Sequence, residues 1–98
     1  MHVIVYWERR GTTKDNDPAI LELRAGLDGY SWVRPMSGSL YVVQVASEVE
    51  RTRLKDTLVD VCKKHPAAVH MLVSPAISNG SYGGWLPEDM WQKVNQRI

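Results

Sequence analysis

Glu8 is the carboxylate best placed for metal chemistry in this 98-residue chain, because it closes an apolar run, 2–7 (H-V-I-V-Y-W), that reads as a strand. A divalent cation takes roughly six oxygen ligands. Asp15 and Asp17 are the nearest further donors to Glu8. The plainer reading of Glu8, as the polar end of the strand, is preferred because a lone acid without partners is a poor metal site, and no catalytic residue is assigned. His2, His65 and His70 hold no metal-ligand spacing with one another or with Cys62. A single cysteine allows neither an internal disulfide nor a thiolate cluster, and at its helical spacing Cys62 reads as a small core residue. Ser74, Ser78 and Ser81 sit in no nucleophile elbow. The Gly-rich stretch 78–84 (S-N-G-S-Y-G-G) lacks the Lys-Ser/Thr ending of a phosphate loop. No cofactor and no metal are expected.

The basic residues carry a different chemistry. Arg9, Arg10 and Lys14 fall in the polar stretch 9–17, Arg34 follows a short apolar run, and Lys63, Lys64 and His65 crowd a helix end. If the chain folds so that these segments share one end, they form a basic rim able to meet phosphates or an acidic protein face. The plain alternative is a solvated loop plus cations that complement a helix dipole. The formal net charge of +1 is too balanced for indiscriminate nucleic-acid binding, which needs many uncompensated cations. Four Trp and four Tyr, with no Phe, favour surfaces where a ring with a polar handle meets a partner. Tyr6, Tyr41, Trp85 and Trp91 are the interface candidates. Tyr6 and Tyr41 fall in the two strands expected to be central, where an RNA-recognition domain carries stacking aromatics. The stretch 37–41 (S-G-S-L-Y) lacks the basic-Gly-aromatic run of that signature.

The elements that must position these residues are legible from period and punctuation. Apolar residues make up 44% of the chain, enough for one core but, at this length, not for two domains. Strands are expected at 2–8, 31–36, 39–46 and 67–74, and helices at 18–28 and 48–64. Asp17 before Pro18 is a helix start, and Ile20, Leu23 and Leu27 form its apolar stripe. Pro35 cannot donate to a ladder, so its strand must lie at an edge. Ser37-Gly38 reads as a tight turn. Ser47 and Glu50 have capping-box spacing, Leu54, Leu58 and Val61 form the buried stripe that follows, and Pro66 stops the helix. Residues 77–98 read as a loop and a short terminal helix with Met90, Trp91, Val94 and Ile98 on its apolar side.

The order is β-α-β-β-α-β, which predicts an α+β, ferredoxin-like sandwich with an antiparallel sheet in the order 4-1-3-2, as a single domain over 1–98. The segments 1–6 (M-H-V-I-V-Y), 30–45 (Y-S-W-V-R-P-M-S-G-S-L-Y-V-V-Q-V), the capped helix from Ser47 and the Trp-bearing tail resemble the small ferredoxin-like proteins related to the CRISPR adaptation endonuclease-like subunit, including SinR-type proteins and VapD-type ribonucleases. In the nuclease-like members an Asp ends the first strand, and paired subunits bring two such carboxylates to a metal. Here that step reads Tyr6-Trp7-Glu8, so only Glu8 could stand in.

The two helices cover one sheet face and the central strands are apolar on the other too, so either the terminal helix or a second copy must cover it, and a homodimer is expected. The expected function is a non-catalytic interaction module that binds a protein or nucleoprotein partner, such as a phage- or mobile-element-linked regulator or inhibitor of a host nucleoprotein complex. A divalent-metal-dependent nuclease and a nucleic-acid-binding protein using the basic rim are the other readings. No run is long enough for a membrane span or signal peptide, so no membrane partner is expected and the cytosol is the expected compartment.

Overall fold

The structure is a computed structural model that describes residues 1–35, 38–77 and 88–95; at 90, 91, 94 and 95 the backbone alone is described. The elements run β1 (His2–Arg9), α1 (Pro18–Gly26), β2 (Trp32–Val33), β3 (Leu40–Gln44), α2 (Glu48–Lys64), β4 (Val69–Val73) and α3 (Glu88–Asn95). The fold is mixed α+β, with one four-stranded sheet in the order β2-β3-β1-β4 and every pairing antiparallel. Among the described residues no helix is long and apolar enough to cross a membrane.

Strand alternation decides what β1 buries. Val3, Val5 and Trp7 point to one face and are at most 1% exposed. Their register partners on β3 are Val43 and Tyr41, and on β4 Val73 and Met71. This face packs against Ala19, Ile20 and Leu23 of α1 and Leu54, Leu58 and Val61 of α2. Burying a Leu or Val side chain contributes about 1.5–3 kcal/mol, so this single layer supplies most of the drive to fold.

Both helix starts are capped by side chains. Asp17 accepts the Ala19 N–H at 2.9 Å. Ser47 accepts the Glu50 N–H at 3.2 Å, and Glu50 in return accepts the Ala46 N–H at 3.1 Å, one residue earlier than a reciprocal capping box would have it. Gly26 ends α1 close against α2. A Cβ there would lie 2.8 Å from Leu58 Cδ2.

Element limits differ from the sequence reading for physical reasons. The second strand shrinks to Trp32–Val33, because Pro35 has no N–H and restricts the residue before it. The first helix stops at Gly26 and not at residue 28, with Leu27 N–H turning back to Arg24 in a tighter last turn. The fourth strand stops at Val73, because Ser74 begins a bulge. The β1–β4 register would pair His2 with Ala76, yet His2 bridges Ile77, so β4's side has one extra residue. Gly38 has φ +114°, which suits its place between β2 and β3. Ser37, the loop 78–84 and Trp85 lie outside the described residues, as does the side chain of Trp91.

Candidate functional site

Three connections meet at the end of the sheet where β1 finishes. Trp7 N–H donates to Ser39 O at 3.1 Å, tying β1 to the β2–β3 connection. Arg10 N–H donates to Ala68 O at 2.9 Å, and its guanidinium donates to Pro66 O at 3.2 Å, tying the β1–α1 loop to the α2–β4 connection. An open cleft of about 700 Å3 lies between the first two, lined by Tyr6, Glu8, Arg9, Thr12, Thr13 and Ser39 among others.

The basic residues are drawn to this end, but not as one uncompensated cluster. Arg9 pairs with Asp15 at 3.1 Å, both exposed. His65 Nε2 lies 3.1 Å from Glu22 Oε2, so its imidazole faces a carboxylate of α1. Arg34 donates to Gly38 O at 3.3 Å. The sheet order puts Arg34 at the β2 edge and Arg10 at the end of β1, two strands away and roughly 10 Å at the usual strand spacing. Lys14, Lys63 and Lys64 make no salt bridge among the described residues. The rim is therefore a spread of cations along one end, with Arg9 and His65 each beside a carboxylate.

The sheet face turned away from α1 and α2 carries a more compact feature. Register places Leu40 of β3, Tyr6 of β1 and Leu72 of β4 side by side. Tyr6 is 40% exposed and Leu72 66% exposed. Glu8 and His70 are neighbours in the next row and are also exposed. Toward the other end of this face Val33 and Val42 are buried and Ile4 is half-buried. The apolar row is thus an isolated strip with an acid and an imidazole at its border.

Tyr41 is not on this face. It is 3% exposed and belongs to the core, with its ring centroid 4.8 Å from Trp7 and 5.2 Å from Trp32, edge-on to the latter. The antiparallel register pairs Tyr41 with Val5 and Tyr6 with Leu40, so the two tyrosines lie on opposite faces of the sheet.

Glu8 gathers little around it. Asp15 is engaged by Arg9, and Asp17 caps α1. No group of three or more His, Cys, Asp or Glu that could hold a metal is found among the described residues. Burial, with the neighbouring terminal ammonium, lowers the His2 pKa from its ordinary value of 6.5. Burial pushes the Cys62 thiol up, away from the thiolate that a nucleophile needs.

A second open cleft, of about 730 Å3, went unseen in the sequence. Leu21, Arg24, Trp32, Arg34 and Lys93 line it together with Asp28 and others. Trp32 is 41% exposed and Leu21 50% exposed, so an aromatic and an aliphatic wall stand beside three cations. Leu21 lies just off the α1 stripe and Trp32 in a strand whose partner register cannot be read from a linear pattern, so no local signal joined them.

No protein-family model, no curated protein and no solved structure matches this chain.

Proposed function

We propose that the chain is a non-catalytic interaction module of ferredoxin-like lineage, working as a homodimer that holds a macromolecular partner. The observation that carries this reading is the strip Leu40–Tyr6–Leu72 on the face opposite α1 and α2, with Tyr6 and Leu72 exposed and Leu40 half-buried beside them. Apolar side chains left in a contiguous row on a water-facing sheet lose hydrophobic stabilisation unless something covers them. Tyr6 suits such a contact, with a ring to bury and a hydroxyl to pair at the rim. Arg9, Arg10 and the Glu8–His70 border supply polar groups that orient a partner without carrying the affinity. In the setting that the resemblance implies, the partner is a host nucleoprotein complex and the module is its regulator or inhibitor.

A nuclease of the same lineage would need Glu8 and its counterpart in a second copy to share a metal. The test is direct. Purified protein incubated with RNA or DNA and Mg2+ or Mn2+ is expected to leave both intact. Cleavage that disappears in Glu8→Ala, with folding unchanged, would replace the interaction reading. Salt-sensitive nucleic-acid binding, lost on reversing Arg9 and Arg10 or on Trp32→Ala, would replace it with a nucleic-acid-binding one.

A further inference from the structure

β4 ends the sheet, and its outer side is unfilled among the described residues. The ladder phase fixes where each of its amides points. Ser74 N–H donates to Ile4 O at 2.8 Å, and Ala68 O accepts from Arg10 N–H at 2.9 Å. Even-numbered residues along this segment therefore turn their N–H and C=O toward β1. Val69, Met71 and Val73 turn theirs outward. Exposed edges are usually blunted by a lysine, a proline or an inward charge. The strand V-H-M-L-V has none of these within it; Pro66 and Pro75 only flank it.

We propose that a second copy of this chain adds to β4 across a twofold axis at Met71, joining two four-stranded sheets into one; this rests on the homodimer of the preceding reading and names its surface. The register is self-complementary. Met71 faces the partner's Met71, and Val69 faces the partner's Val73, so every outward amide and carbonyl of the strand finds a mate. On the opposite face Leu72 falls beside the partner's His70. The strip Leu40–Tyr6–Leu72 then continues onto the next protomer's Glu8–His70 border, and the partner copy completes the docking face.

Helix α2 borders the same edge. Arg51 of α2 donates to Ser74 O at 3.3 Å, while a Cβ at Gly26 of α1 would lie 3.8 Å from Thr57 Cγ2 on the opposite flank of α2. Helical spacing then puts Lys55 and Val59 on the flank beside the β4 edge, and the twofold axis sets the two α2 helices antiparallel across the joined sheet.

Sedimentation equilibrium of the full chain is expected to show a reversible monomer–dimer equilibrium. Met71→Pro removes only an outward donor, at the kind of edge position where proline is tolerated, and should weaken the dimer roughly tenfold or more while the monomer stays folded. Should the proline variant fail to fold, hydrogen exchange on the native chain decides. Amides of Val69, Met71 and Val73 should lose protection on dilution, while those of His70 and Leu72 keep theirs. A chain that is monomeric at every concentration overturns the proposal. A dimer that survives a folded Met71→Pro but is lost in Tyr6→Asp also overturns it, and leaves the interaction function standing.

Discussion

The hydroxyl of Ser74 accepts the Ile4 amide proton at 2.8 Å while the Ser74 amide donates to the Ile4 carbonyl, also at 2.8 Å. A side-chain oxygen thus stands where the strand's own carbonyl would have been. That carbonyl has turned to Arg51 Nη1 at 3.3 Å. The substitution lets the chain leave the ladder at Pro75, insert one residue and return at Ile77. Ser74→Ala should leave a half-buried N–H without its mate and cost about 1–2 kcal/mol in denaturant unfolding, with faster exchange at Ile4. Ser74→Thr keeps the oxygen and should recover most of the loss.

Gly26 tests how tightly the two main helices meet. Alanine is favoured over glycine inside a helix by about 1 kcal/mol, which taken alone predicts stabilisation. The new Cβ would stand 2.8 Å from Leu58 Cδ2, and Leu58 is fully buried, so it cannot swing clear. Overpacking costs about 1–3 kcal/mol, so Gly26→Ala should lower stability on balance. Combining it with Leu58→Val should recover part of that loss. Leu58→Ala alone should cost about 2–5 kcal/mol through the cavity it opens. Thermal melts of the three variants check the order.

Much of this framework is legible in the sequence, for local reasons. Asp17-Pro18 and Ser47…Glu50 announce helix starts because caps act within one turn. Pro35 announces an edge because a missing donor excludes a central place. What the linear pattern could not supply is phase between strands. Tyr6 and Tyr41 look alike in two apolar runs, and only pairing separates the exposed ring from the core ring. The carboxylates opposite Arg9 and His65 are likewise set by where a loop and a helix come to rest. Asp15 is six residues from Arg9 and Glu22 lies on another helix, so no local rule links them. The extra residue after Ser74 has no local signature beyond Pro75.

His2 gives the molecule a pH response. Its imidazole is buried, and its folded pKa lies below the ordinary 6.5. The unfolded chain therefore binds a proton at this site more readily than the folded one. The contribution to stability is fully present above pH 6.5 and is lost as pH falls from there through the lowered folded value. Urea unfolding at pH 7.5 and 5.5 should show lower stability at the acidic point. His2→Asn should flatten that difference.

The N-caps supply a further check on how the chain sets its helices. Asp17→Ala and Ser47→Ala should each cost about 1 kcal/mol, with Gly replacements costing less. The loss should be additive, because the two caps open different helices and their hydrogen bonds share no partner.

The central claim is that the strip Leu40–Tyr6–Leu72 holds a partner. It is tested most directly by Leu72→Asp, a change at a side chain 66% exposed that leaves the core untouched. Immobilised wild-type and variant chains, matched for melting temperature, are presented with the same nuclease-treated native lysate. The account predicts a protein retained by the wild type and released from Leu72→Asp and from Tyr6→Asp. Equal retention by all three, or retention that nuclease abolishes, would contradict it.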